Sequence, residues 1–175
     1  MSARALLALA CVAVATPAAA EVSLGLEVTV GAQHLGISRV PGSSEPLAGV
    51  GDLGGVVLLR LGPMGLGASA EGNFDGRTLE RFNASGMAGL VTDLLPALRL
   101  ELLAEVGAAD LRSAADVRTQ VSSDWNRFYG FRPGLSLKLP FLPMRAGVWG
   151  LARWGLPGSG DGPALGLLGR LGVEF

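Results

Sequence analysis

The sequence reads VSLGLEVTVG at residues 22–31, with an apolar side chain at every even position and Ser, Gly, Glu or Thr at every odd position. Side chains of a β-strand point alternately to opposite faces, so this stretch predicts a strand with one apolar face. The chain ends on a similar pattern. Positions 165, 167, 171, 173 and 175 are apolar, whereas positions 166, 170, 172 and 174 are Gly, Arg, Gly and Glu.

Six further segments between these two have the character of strands, and the eight together predict an all-β fold. Most of them approach the 9–11 residues that a tilted strand needs to cross a bilayer. The six are Asp52–Leu61, Leu66–Phe74, Ala84–Thr92, Ala97–Ala109, Phe128–Leu139 and Met144–Trp154.

Segment Ala97–Ala109 also fits a helix, because Leu94, Leu98, Leu102 and Val106 are spaced four apart. Asp93 would then cap the helix and Pro96 would begin it. Against this, apolar residues at even positions alternate with charged residues in the same segment. Single-chain barrels of bacterial outer membranes have an even number of strands, so a strand is the better prediction.

The predicted connections alternate between short and long. Three are short turns that contain proline, which cannot continue a β-ladder. If the chain starts on the periplasmic side, the short turns lie in the periplasm and the long loops outside, as in outer-membrane barrels. The turns are Gly62–Gly65, Asp93–Pro96 and Pro140–Pro143, and the loops are Leu35–Gly51, Asp75–Asn83, Asp110–Arg127 and Gly155–Pro163.

Charged residues within the predicted strands all lie on the parity opposite the apolar face. A charge facing the middle of a bilayer costs about 2–4 kcal/mol, so lipid around the barrel would require this arrangement. We expect the charges to form a network in the lumen, with Glu27 pairing Arg170 and Glu105 pairing Arg132. The twelve are Glu27, Arg60, Glu71, Arg99, Glu101, Glu105, Arg132, Lys138, Arg145, Arg153, Arg170 and Glu174.

The alternative is a soluble barrel whose apolar face lines a ligand cavity. The aromatic residues favour the membrane, because two aromatic belts mark the two interfaces of such barrels. Trp149 lies in the middle of a strand on the inward parity, where it would fill the lumen. Aromatic residues near the loop ends are Phe74, Phe82, Trp125, Phe128, Tyr129 and Trp154, and those at the turn end are Phe141 and Phe175.

The first twenty residues have the layout of a secretory signal peptide. Arg4 precedes an apolar run at Ala5–Thr16, and the small residues Ala18–Ala20 predict cleavage after Ala20. The mature barrel domain would be residues 21–175. Lipidation at Cys11 is the alternative, although only six residues separate that cysteine from Arg4. Loss of the only cysteine with the signal excludes a disulfide or a thiolate metal site.

The composition argues against several other classes of protein. The formal net charge is −1, which gives no reason to expect nucleic acid as a partner. After residue 20, no uncharged apolar stretch reaches the length of a transmembrane helix. The sequence contains no phosphate-binding loop motif and no set of His and Cys at metal-ligand spacing, so we expect no cofactor and no metal.

The chain resembles the small eight-stranded outer-membrane barrels of the OmpA and OmpX kind over residues 21–175. The resemblance depends on the signal peptide, the strand count, the loop asymmetry and the final residues RLGVEF. It implies an antiparallel up-and-down transmembrane barrel in the outer membrane of a Gram-negative bacterium. It also implies that Leu171, Val173 and Phe175 form the signal read by the barrel-assembly machinery. The loops carry no motif specific to the family.

The sequence therefore predicts a non-enzymatic, porin-like scaffold in the outer-membrane bilayer, with four displayed loops and a mostly closed lumen. One alternative is a lipid-modifying enzyme that uses His34, the only histidine, with Ser23 or Ser38. Another is a narrow pore, or an adhesion protein that binds an unidentified partner through the loop at 110–127. The pattern identifies no catalytic residue.

Overall fold

A computed structural model describes residues 22–34, 50–75, 78–111, 125–156 and 162–175. The predicted signal peptide lies outside these residues. Eight antiparallel strands follow one another around a closed barrel in chain order. They are β1 (Val22–His34), β2 (Val50–Leu61), β3 (Met64–Asp75), β4 (Thr78–Asp93), β5 (Leu98–Leu111), β6 (Asn126–Lys138), β7 (Met144–Trp154) and β8 (Ala164–Glu174). The predicted all-β, up-and-down barrel is confirmed.

Pairing between the first and last strands closes the barrel. Val28 lies opposite Leu171 on one side and opposite Gly55 on the other. The backbone of Phe175 exchanges two hydrogen bonds of 3.0 Å with Leu24, so the seam is paired to the end of the chain. Such closure satisfies the backbone groups that an open sheet edge would leave unpaired.

Two of the predicted segments, Ala97–Ala109 and Ala84–Thr92, correspond to longer strands of the structure. The segment at Ala97–Ala109 is β5, and its helical alternative is wrong. The segment at Ala84–Thr92 belongs to β4, which has 16 residues. Across the described ranges, no helix has the length and apolar character needed to cross a bilayer.

The prediction of a loop at Asp75–Asn83 is wrong for most of these residues. Strand β3 continues through Asp75 and β4 begins at Thr78, so only residues 76 and 77 separate them. Arg81 and Asn83 face inward and are buried, whereas Phe82 between them is partly exposed. These polar residues resemble a loop in sequence because a polar lumen accepts the residue types that loops also favour.

The outer face is apolar, whereas the lumen contains buried charged and polar side chains together with a cluster of apolar ones. In β1, Val22, Val28 and Val30 are at least 60% exposed, whereas Thr29 between the last two is fully buried. A soluble barrel that binds a ligand would have the opposite arrangement. The prediction that Phe128 belongs to the aromatic belt near the loop ends is wrong, because its side chain faces the lumen and is 3% exposed.

Candidate functional site

Among the described residues, the ion pairs of the lumen form three groups, and the group nearer the loops is a closed ring of four side chains. Arg132 donates to Glu71 at 2.5 Å and to Glu105 at 2.6 Å. Arg153 donates to Glu71 at 2.6 Å and also contacts Glu105. All four side chains are 0% exposed. We call these residues the four-charge ring.

Two glycines make the space in which the ring forms. Gly130 lies between Glu105 and Arg153 in the strand register. A Cβ on Gly130 would lie 2.8 Å from Glu105 Oε1, and one on Gly54 would lie 2.5 Å from Glu71 Cγ. Side chains at these inward positions would push the glutamates out of place, which explains glycine in the middle of two strands.

A second group of ion pairs lies closer to the turns and is centred on Arg170. This arginine binds Glu101 through two nitrogens, one of them at 2.6 Å, and contacts Glu27 at 3.2 Å. The side chains of Glu101 and Arg170 are at most 1% exposed. Two carboxylates share one guanidinium, and Ser136 also donates to Glu101 at 3.3 Å.

Trp149 lies between this group and the four-charge ring. It is fully buried and donates from Nε1 to Glu101 at 3.0 Å. The guanidinium of Arg170 lies 4.2 Å from its ring centroid, and that of Arg132 lies 5.5 Å away. Cations over an aromatic face are attracted by its negative potential, so the indole links the two groups. Apolar residues fill the lumen at this level: Val56, Leu58, Met87, Val91, Leu103, Leu151 and Leu168.

We expect Gly134→Ala to displace Trp149 and to destabilise the barrel by about 1–3 kcal/mol, the usual cost of overpacking. Gly134 lies between Glu101 and Trp149 in the register, and an added Cβ would overlap the indole. Denaturant unfolding measures the stability, and tryptophan fluorescence in a Trp125→Phe/Trp154→Phe background reports on Trp149. Gly86→Ala is the control, because nothing lies within 4 Å of that position. Equal stability of the two variants would contradict this packing.

The third group of ion pairs lies at the turn end and is partly open to solvent. Asp93 accepts from Arg60 at 2.6 Å and from Arg99 at 3.0 Å. Glu174 accepts from Arg99 at 2.8 Å, and Arg145 binds the same carboxylate. The side chains of Asp93 and Glu174 are 31% and 18% exposed, so water competes for these contacts more than for the other two groups.

Lys138 is the one residue of the predicted charge network that the structure leaves outside these groups. Its side chain is exposed at the turn end, where β6 stops. The other eleven predicted residues are brought together in the three groups. Both expected pairs, Glu27 with Arg170 and Glu105 with Arg132, are in contact.

Sequence reasoning missed a polar cluster at the loop end of the lumen. Asn73 donates to Asp52 at 2.8 Å and accepts from Arg81 at 2.7 Å, and Arg81 also donates to Gln33 at 2.6 Å. Asp52 begins a strand predicted from the sequence, and it is buried within β2. Asp52 and Asn73 lie within predicted strands on the parity of the inward charges. Extending the alternation of the segment Ala84–Thr92 back towards its start would also have found Arg81.

Of the residues in the catalytic alternative, Ser23 and His34 do not come together. Ser23 lies at the turn end and donates to Glu174 at 2.6 Å, whereas His34 ends the same strand at the loop side. At about 3.3 Å per residue, the two are roughly 35 Å apart. Ser38 and most of the predicted binding loop, residues 112–124, lie outside the described residues. Within the described ranges, no group of three or more His, Cys, Asp or Glu could hold a metal ion.

No protein-family model matches the sequence, and no curated protein sequence matches it either. Solved structures do match. Neisserial surface protein A has a TM-score of 0.57 at 10% identity, over 87% of this chain and 95% of that one. A chain from the de novo design of transmembrane β-barrels has a TM-score of 0.50 at 11% identity, over 87% and 95%. The Yersinia pestis outer membrane protein Ail, in a phospholipid bilayer nanodisc, has a TM-score of 0.47 at 14% identity, over 86% and 99%. The first two likenesses show that this chain has the fold of a transmembrane β-barrel.

Proposed function

We propose that this protein is a non-enzymatic scaffold of the bacterial outer membrane, with a sealed lumen and loops displayed at one end. The observation that carries the proposal is the four-charge ring. Its residues come from β3, β5, β6 and β7, and β3 and β7 lie on opposite walls of the barrel. The ring therefore crosses the whole lumen.

The size of the barrel supports a sealed lumen. Eight strands enclose an interior that is only wide enough for side chains to fill. Trp149 and the apolar residues at its level add a second barrier. The side chains of Trp149 and of the four-charge ring are inaccessible to solvent. A solute passing through would have to break buried ion pairs, which is costly because it leaves charges uncompensated.

The setting in the outer membrane is supported by the fold and the outer surface. Barrels of this architecture span bacterial outer membranes with an apolar band and short periplasmic turns. Here, long connections at residues 35–49 and 112–124 leave the end opposite the short turns. We propose that these loops are the displayed surface. The outward-facing Leu171 and Phe175, at 48% and 72% exposure, would serve with Val173 as the assembly signal.

We expect the refolded barrel to show no steady conductance in planar bilayers. Trp149→Ala should raise the leak of small cations, because it removes the largest fully buried side chain among the residues that the structure describes. Trp154→Ala is the matched control, since that indole stacks on Tyr129, a residue exposed on the outer face, at 5.8 Å between ring centroids. A steady, ohmic unitary conductance of the unaltered protein that Trp149→Ala leaves unchanged would overturn the sealed-lumen proposal.

A further inference from the structure

Two cavities of different character adjoin at the turn end of the barrel. One is a polar mouth of about 380 Å³, and the other is an apolar groove of about 490 Å³. They share the residues Pro96, Lys138 and Pro143 in their walls. A single molecule with a polar head and an apolar body would therefore fit both, with Lys138 at the junction.

Lys138 is the cation that the mouth offers to a ligand. Arg99 and Arg145 also line the mouth, but both bind Glu174. Lys138 forms no ion pair with any residue in the described part of the chain, and its side chain is exposed. Both acidic side chains in the wall of the mouth, Asp93 and Glu174, are bound to arginines, so Lys138 is the group that attracts an anionic head.

The groove lies between two turns and continues onto the outer face. The β4–β5 turn contributes Pro96 and Ala97, and the β6–β7 turn contributes residues 139–143. Phe141, at the tip of its turn, is completely exposed, and Leu142 is 50% exposed. Leu137, just before the groove on β6, is 53% exposed on the outer face. The apolar surface is thus continuous from the barrel wall into the groove.

We propose that this site binds an anionic glycerophospholipid from the leaflet at the turn end. Its phosphate would lie against Lys138, and one acyl chain would occupy the groove. The proposal rests on the membrane setting of the proposed function. A lysine at a membrane surface attracts anionic headgroups while its stem packs on apolar surface. Free phosphate would gain only the single unpaired cation, whereas a lipid also buries the exposed Phe141 and Leu142.

The test is native mass spectrometry of the detergent-purified barrel with added phosphatidylglycerol or phosphatidylcholine. We expect one retained phosphatidylglycerol per barrel and about tenfold weaker retention for Lys138→Gln. Lys138→Arg should retain the lipid. Arg127→Gln is the matched control, because it removes an exposed cation near the loop end, at the start of β6. Phe141→Ser should weaken retention of both lipids, since it acts on the groove and not on the charge.

Equal retention by Lys138→Gln and the unaltered protein would overturn the proposal, as would an equal loss in Arg127→Gln. Displacement of the lipid by millimolar inorganic phosphate would assign the site to a free anion instead. A heat-modifiable gel shift of every variant ensures that lost retention does not come from an unfolded barrel. The membrane setting is tested separately by Val28→Arg in liposomes and the sealed lumen by conductance. Neither measurement depends on retention of this lipid, so the failures are distinguishable.

Discussion

Val28→Arg is expected to destabilise the barrel in a phospholipid bilayer by about 2–4 kcal/mol, the cost of arginine near the bilayer midplane on the lipid face. Val28 lies halfway along β1 and is 60% exposed, so the longer side chain meets no steric obstacle. The cost comes from placing a charge in hydrocarbon. The preceding residue, Glu27, carries its charge without this cost because it faces the lumen and pairs with Arg170.

Val22→Arg is the matched control for this prediction. Val22 is the same residue type on the same face of the same strand, and it is 63% exposed, but it lies at the turn end. Its substitution should cost about 0–1 kcal/mol, because the cost falls off toward the interface. Denaturant unfolding in liposomes, followed by tryptophan fluorescence, measures both. Equal and small effects would show that hydrocarbon does not surround the middle of the barrel.

The fold was predictable because each strand has lipid on one face and the barrel lumen on the other. Lipid requires an apolar face, and the lumen admits polar residues, so residues 22–31 read as a strand without any knowledge of their neighbours. The start of β4 was not predictable in the same way. Thr78–Asn83 is polar enough to resemble a loop, and only its continued parity distinguishes it from one. The prediction that Phe128 joins an aromatic belt was wrong, because an aromatic residue near a strand end can also face the lumen.

The sequence predicted which charged residues face the lumen better than it predicted which of them are in contact. Glu27 with Arg170 and Glu105 with Arg132 join neighbouring strands, whose pairing follows from chain order. Contacts across the lumen depend on the tilt and stagger of the strands, which one sequence does not specify. Glu71 with Arg153 joins opposite walls, and it could not be read from the sequence. The cavities at the turn end depend on turn geometry and were not foreseen.

Glu105→Gln is expected to have the largest effect of the proposed substitutions, a destabilisation of about 3–5 kcal/mol. Glutamine preserves the shape of the side chain, so packing changes little. The loss is electrostatic, because Arg132 and Arg153 would then share a single carboxylate, that of Glu71, at complete burial. Glu174→Gln serves as the comparison. It removes a carboxylate that also binds two arginines but is 18% exposed, so water can solvate the charges left behind and the cost should be smaller.

The double variant Glu105→Gln/Arg132→Met separates charge balance from the loss of a particular contact. It leaves Glu71 and Arg153 as a neutral pair at 2.6 Å, so no charge in the ring is uncompensated. Replacing a buried ion pair with groups of similar volume is often neutral for stability, and we expect the double variant to recover most of the loss seen in Glu105→Gln. Denaturant unfolding of both variants, each in the same detergent, measures the difference in their stability. A double variant at least as unstable as Glu105→Gln would mean that Arg132 stabilises the barrel by its packing against Trp149 and not by neutralising Glu105.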